Sequence, residues 1–219
     1  MSKSSYFLLP LFILASSAIL AQDDNSDQRK DFELWTRADL SWEFLKDFEM
    51  VSDVGYRLDE YLTRTKKIFG EISAGYKGIK WLRLKVKYRF TSRRGNFEHR
   101  LSGDALLRFD INRFRITLRN RLQREWLQDN DIEDFLRERL KISYNIRNFP
   151  VDPFISGEAW YHYNTEDNQY EEFWTDFGID WKINKKNDLE LCFRLSREIN
   201  VKNPLHSNII SLKYSYAIN

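Results

Sequence analysis

Apolar and charged residues alternate without a break from Leu82 to Phe90. Successive side chains of a strand point to opposite faces. Leu82, Leu84, Val86, Tyr88 and Phe90 therefore form one apolar face, and Arg83, Lys85, Lys87 and Arg89 one cationic face. A 3.6-residue period would spread these charges all round a helix. The period of two recurs from Phe32 to the end of the chain. Phe32, Leu34, Thr36, Ala38, Leu40, Trp42 and Phe44 oppose Glu33, Trp35, Arg37, Asp39, Ser41 and Glu43. Further on, Phe97 and Leu101 oppose Arg100 and Asp104, and Phe114, Ile116 and Leu118 oppose Arg115, Arg119 and Arg121. Leu136, Leu140 and Ile142 oppose Arg137, Arg139 and Lys141; Tyr161 and Phe177 sit on the parity opposite to Glu158, Asp176 and Asp180.

The pattern marks eleven candidate strands, most of about 10 to 14 residues. A membrane-spanning strand needs about 9–11 residues, whereas the average soluble strand has about 5–6. Connections read as short after the odd-numbered segments and mostly longer after the even-numbered ones, as turns and loops do at the two ends of an outer-membrane barrel. Single-chain bacterial barrels have even strand numbers. Eleven segments therefore predict ten or twelve strands, with one segment split, merged or spurious; the first, Phe32–Phe44, is the leading candidate. The predicted fold class is all-β, an antiparallel up-and-down transmembrane β-barrel with lipid on the apolar rows and the charged rows inside. A soluble antiparallel sandwich shows the same alternation. Long strands, few Gly or Pro turns, and aromatics near strand ends (Tyr88, Phe90, Phe109, Tyr144, Tyr161, Tyr163, Tyr214, Tyr216) favour the barrel.

The first residues read as a secretory signal. Lys3 supplies a positive region, Tyr6 to Leu20 an apolar run of 15 residues, and Ala21 a small residue before Gln22. Ile19 departs from the small residue usual three positions before cleavage. The run is shorter than the roughly 18–20 residues of a spanning helix. The predicted organisation is a signal over 1–21, a flexible lead-in over 22–31 and one barrel domain over 32–219. An exported chain without a later apolar helix belongs to the periplasm, the outer membrane or the medium. Cys192 is the sole cysteine, so no intramolecular disulfide is possible.

Charge sharpens the picture. The net charge is only +2, which gives no general attraction to nucleic acid. The distribution is uneven: Lys77 to Arg147 carries 19 Lys/Arg against 9 Asp/Glu, and the segments on both sides are acidic. A basic wall facing acidic walls across an interior accounts for this; an anion site is the sharper alternative. The candidate interior rows are Arg83, Lys85, Lys87, Arg89, Arg100, Arg115, Arg119, Arg121, Arg137 and Arg139, with Glu158, Asp176 and Asp180 among their acidic partners. Glu98, Asp104, Glu33 and Asp39 are further candidate partners.

Catalytic chemistry has little support. His99, His162 and His206 show no metal-ligand spacing. His206-Ser207 is the one pair that brings a lipid-acting hydrolase to mind, but neighbours in a strand face opposite ways. His162 near Glu158 reads as an interior hydrogen bond. No catalytic residue, cofactor or metal is expected.

The chain resembles an uncharacterised family of outer-membrane proteins common in Bacteroidota, domain-of-unknown-function family 2490. The resemblance rests on Phe32-Glu33-Leu34-Trp35, Val54-Gly55-Tyr56-Arg57, Leu118-Arg119-Asn120-Arg121-Leu122, Phe135-Leu136-Arg137-Glu138-Arg139-Leu140, Pro153-Phe154 with Glu158, and Phe177-Gly178-Ile179. It implies an outer-membrane β-barrel and supplies no activity or site residues. The terminal Tyr216-Ala217-Ile218-Asn219 lacks the final aromatic many such barrels carry.

The expected function is a monomeric barrel in the outer membrane of a Gram-negative bacterium, either structural or a narrow charged-lumen pore. Its partners would be outer-membrane lipid and the barrel-assembly machinery, with no nucleic acid. A soluble periplasmic barrel holding an apolar ligand, and an outer-membrane enzyme acting on lipid, are the alternatives.

Overall fold

The structure, a computed structural model, describes residues 29–128 and 131–218. The predicted signal over 1–21 and most of the lead-in lie outside the described residues. Eleven strands follow one another: β1 (Arg29–Leu45), β2 (Phe48–Asp59), β3 (Arg64–Ile79), β4 (Leu82–Arg93), β5 (Asn96–Ile111), β6 (Phe114–Trp126), β7 (Ile132–Tyr144), β8 (Val151–Tyr163), β9 (Gln169–Lys182), β10 (Asn187–Glu198) and β11 (Leu205–Ala217). Each pairs antiparallel with its neighbour in sequence, and β1 closes the barrel on β11.

That closure corrects the expected even number. In an up-and-down meander of eleven strands, the first and last run the same way, so they can only meet in parallel. They do so over a long register, from Arg29↔Leu205 to Ser41↔Ala217. No segment is spurious, and β1, the segment in doubt, supplies half of the seam. Parallel pairing is slightly less stable per residue than antiparallel, but it leaves no open edge. Arg29 to Asp31, expected in the lead-in, belong to this strand.

The connections are shorter than expected. At one end, here called lower, they are 46–47, 80–81, 112–113, 145–150 and 183–186; at the upper end they are 60–63, 94–95, 127–131, 164–168 and 199–204. The predicted asymmetry is therefore weak, because residues read as loop, such as Arg64–Lys66 and Gln169–Glu171, pair into strands. The 94–95 hairpin has φ of 51° at Arg94 and 90° at Gly95, the left-handed pair that matches strand twist. Glu60, Tyr61 and Leu62 all have positive φ, which non-glycine residues seldom adopt. The Asp31 carboxylate holds this bend, accepting from the amides of Glu60 (3.1 Å) and Tyr61 (3.0 Å).

The fold inverts the usual distribution of polarity. Only eight hydrophobic residues are buried among the described residues, whereas thirty-eight large apolar side chains are exposed, nearly all on the outer face or at its rims. The buried interior is mostly charged or hydroxylated. Two interior glycines make room for aromatics. Phe69 lies over its cross-strand partner Gly55, and Phe154 over Gly178; a Cβ on either glycine would strike the ring. Arg89 and Lys141 then sit over those rings at 3.8 and 3.6 Å.

Two outcomes are expected. With Cys192 replaced by Ser, the pair Thr36→Cys/Leu212→Cys forms a disulfide on mild oxidation, as seen on a non-reducing gel. The pair Thr36→Cys/Tyr216→Cys does not, since it lies about 13 Å off register at about 3.3 Å per residue; the opposite result would refute the parallel seam. Gly178→Ala destabilises the barrel by about 1–3 kcal/mol through overpacking. Gly103→Ala, with open space at its Cβ, is neutral or slightly stabilising in urea unfolding.

Candidate functional site

The interior is the one place where the strands gather chemistry. It holds a cavity of about 810 Å³ walled chiefly by charged side chains. The register lets only some of these charges pair with the residue directly opposite. Arg89 lies opposite Arg100, Arg119 opposite Arg139, and Arg121 opposite Arg137. Asp53 lies opposite Glu71, and Asp180 opposite Glu190. Like charges directly across a ladder repel. Direct cross-strand pairs, Glu71 with Arg89, Asp104 with Arg121 and Asp176 with Arg194, neutralise part of the charge; the cations left over must be met diagonally or from a second strand.

Four carboxylates do this, each with its side chain at most 4% exposed. Glu71 on β3 takes Arg89 at 2.7 Å, Arg37 at 3.3 Å and Arg100 at 3.5 Å, with Lys87 at 4.0 Å. Asp104 on β5 takes Arg121 at 2.6 and 2.9 Å and Lys87 at 3.0 Å. Glu158 on β8 takes Arg137 at 2.5 Å and reaches Arg119, two strands away, at 2.7 Å. Asp176 on β9 takes Arg194 at 2.7 Å, Arg139 at 2.9 Å and the Ser156 hydroxyl at 2.9 Å. Two of these hubs sit just outside the basic wall β4–β7, at its borders with β3 and β8. The third is inside that wall and the fourth one strand further round.

The sequence-predicted residues thus have definite places. Arg83 and Lys85 share Glu49 at 3.7 and 2.7 Å; Gly75 lies between Glu49 and Lys85 in the ladder and leaves room for that contact. Lys87, Arg89, Arg100, Arg119, Arg121, Arg137 and Arg139 converge on the hubs. Asp180 binds Lys141 at 2.9 Å near the lower end. Arg115 is the exception: it leaves the interior for Asp110 at the lower hairpin, 2.9 Å away and half-exposed. The other proposed partners find different cations. Glu98 meets Arg93, Glu33 meets Lys66, and Asp39 meets Lys213. His162 pairs with Glu171 at 2.8 Å rather than with Glu158.

Several residues stand outside the candidate interior rows. Glu71, Arg194, Arg37 and Glu49 lie on inward parity, a signal available in the sequence. The upper half holds an aromatic cluster that parity alone does not reveal: Trp35 and Trp174 pack edge to face at 5.6 Å, with Trp160 4.7 Å from Trp174 and Ile209 beneath them. Guanidinium groups cover these rings. Arg57 stands 3.5 Å over Trp35, Arg137 3.4 Å over Trp160 and Arg194 3.9 Å over Trp174. Such contacts are worth about 0.5–2 kcal/mol each. Their spacing along the chain gave no hint of them, because the partners come from β1, β2, β7, β8, β9 and β10.

The interior does not form the apolar pocket that a soluble barrel holding an apolar ligand would need. His206 points outward and is half-exposed, whereas Ser207 is buried and donates to Glu33 Oε1 at 2.9 Å; the two are not brought together. Among the described residues no group of His, Cys, Asp and Glu has the arrangement of a metal site.

The model of the family described as "Protein of unknown function (DUF2490)" matches residues 32–202. No curated protein sequence matches the chain. A solved structure described as a bacterial polysaccharide outer membrane secretin is similar at a TM-score of 0.56 and 13% identity, over 77% of this chain and 63% of that one. The chain therefore spans less than two thirds of that structure, and the likeness is one of fold.

Glu158→Gln is expected to cost about 3–5 kcal/mol, because two buried guanidinium groups lose their counter-charge. Asp110→Asn, at the exposed hairpin, should cost less than about 1 kcal/mol. Urea unfolding of both variants checks this; equal losses would show that the hubs do not hold the barrel.

Proposed function

The chain belongs to the DUF2490 family, whose own description is a protein of unknown function, and from the barrel itself we propose that it is an integral barrel of the Gram-negative outer membrane with an ion-paired interior too crowded for a wide channel. The observation that carries the reading is the inversion of polarity: a continuous apolar outer face round a charged inside. Monomeric soluble proteins rarely expose apolar patches beyond a few hundred Å². In lipid the same face is an asset, and ring closure satisfies every ladder donor and acceptor.

Dimensions support it. β6 has 13 residues, about 43 Å at about 3.3 Å per residue; tilted by about 45°, that is about 30 Å, the thickness of a hydrocarbon core. Two aromatic belts support it as well. Trp42, Phe44, Phe48 and Tyr76 run as a chain of ring contacts near the lower end. Phe90 with Phe97, and Tyr161 with Tyr170, lie toward the upper end. Aromatic girdles mark both interfaces of outer-membrane barrels. The similar structure is described as an outer-membrane protein, which is consistent with this placement.

Within that frame the interior favours a filled barrel over an open pore. Four hubs tie the walls together and the tryptophan cluster occupies the upper half. No enzymatic role is proposed. At mid-depth of the outer face one carboxylate breaks the apolar pattern among the described residues: Glu138, at the midpoint of β7, points outward opposite Asn120.

The direct test is mobility on a gel, boiled against unboiled, of protein from the outer-membrane fraction. A shift in that fraction is expected; release with the periplasm and no shift would overturn the proposal. In planar bilayers the folded barrel should show no large steady channel, and porin-sized conductance would refute the filled interior. Glu138→Leu should stabilise the barrel in lipid by about 1–2 kcal/mol, since a carboxylate at mid-depth is costly. A change within about 0.5 kcal/mol is what a water-exposed position would give.

A further inference from the structure

One pair of interior cations lies outside the hub network. Arg57 on β2 and Lys67 on β3 are directly opposed in the ladder, and neither has a carboxylate partner among the described residues. Both line the interior cavity. Their surroundings make the gap sharper. The charged groups bearing most on Arg57 are Arg89, Arg100, Arg194 and Glu33. Those bearing on Lys67 are Arg57, Arg93, Glu125 and Arg100.

The two acids nearby are already committed. Glu33 accepts from Lys66 at 2.7 Å, Trp35 Nε1 at 2.7 Å and Ser207 at 2.9 Å. Glu125 accepts from Arg100 at 3.2 Å and Gln123 at 2.7 Å. Arg57 is also held in place: its guanidinium carbon stands 3.5 Å over the Trp35 ring, and its N–H groups have no hydrogen-bond acceptor among the described residues. A planar guanidinium with an edge free, beside a rotatable ammonium, is the combination that grips an oxyanion.

We propose that Arg57 and Lys67 form a binding site for a phosphate-class oxyanion, entering the cavity from solution at the upper end. Arg57 donates in bidentate fashion and Lys67 supplies the second point of charge. Arg100 and Arg89 add field while keeping their bonds to Glu71. The bound anion supplies the counter-charge that this part of the interior lacks. The inference rests on the barrel reading proposed above, with the cavity of about 810 Å³ that the hubs leave reachable by solvent from the upper end.

The test is calorimetric titration of inorganic phosphate into the full-length barrel, refolded in zwitterionic detergent at low ionic strength, with folding verified by the boiling shift. One saturable site is expected. Lys67→Gln and Arg57→Gln should each weaken it about ten-fold or more, the usual scale for a charge-assisted bond. Arg83→Gln, at the lower end and bound to Glu49, should leave the affinity unchanged. A folded wild-type barrel without saturable binding would overturn the site. So would equal loss in all three variants, which would reveal a diffuse field in place of a site. Should Arg57→Gln fail to shift on boiling because Trp35 loses its cover, Lys67→Gln alone decides. A wild-type protein that shows no shift fails the membrane reading instead, so the two failures are distinguishable.

Discussion

A charge inside a closed sheet must find its opposite there, because the wall cannot turn it out to solvent without turning a neighbour in. An unpaired buried charge costs several kcal/mol, and this barrel has a basic wall four strands wide. Direct cross-strand pairing satisfies only part of it, since the register also sets arginine against arginine. The solution is a small number of carboxylates, Glu71, Asp104, Glu158 and Asp176, each gathering two or more cations from different strands. The remaining features depend on that arrangement. The hubs tie non-adjacent strands together, which a ladder alone does not do. They also free the outer face to be apolar, because the polar groups have been satisfied inside.

The outer and inner faces were legible from the period of two. Leu82–Phe90 sits as its alternation demands, and most of the proposed inward residues face the cavity. The strand number was equally visible as eleven segments, and a general expectation of even numbers argued against it. What the one-dimensional pattern lacks is the seam: a parallel contact between Arg29–Ser41 and Leu205–Ala217 has no local signature, as it joins the two ends of the described chain. Pairing was poorly legible for a related reason. Glu158 meets Arg119 two strands away, and His162 meets Glu171 across a register shift between Trp160 and Tyr161. Parity says which way a side chain points; register and side-chain length say whom it meets.

The two halves of the interior are built differently. Below, ammonium groups reach single or shared carboxylates, as Lys141 does with Asp180 and Glu190. Above, guanidinium groups lie on Trp35, Trp160, Trp174 and Phe69 while their edges seek acceptors. A contact over a ring and edge donation use different parts of the same group, which is why arginine rather than lysine dominates there. Arg57 is the member of this set whose edge has no acid to meet, and that places the proposed anion site in the stacked half.

The central claim is that the apolar face meets lipid and the charged face does not. It is tested most directly by single cysteines at adjacent positions of one strand, Val86→Cys and Lys87→Cys, with Cys192 replaced by Ser. Each is labelled with a fluorophore and reconstituted in vesicles whose lipids carry a quencher on the acyl chain. The account predicts strong quenching at Val86→Cys and little at Lys87→Cys. Equal, weak quenching at both positions would contradict it.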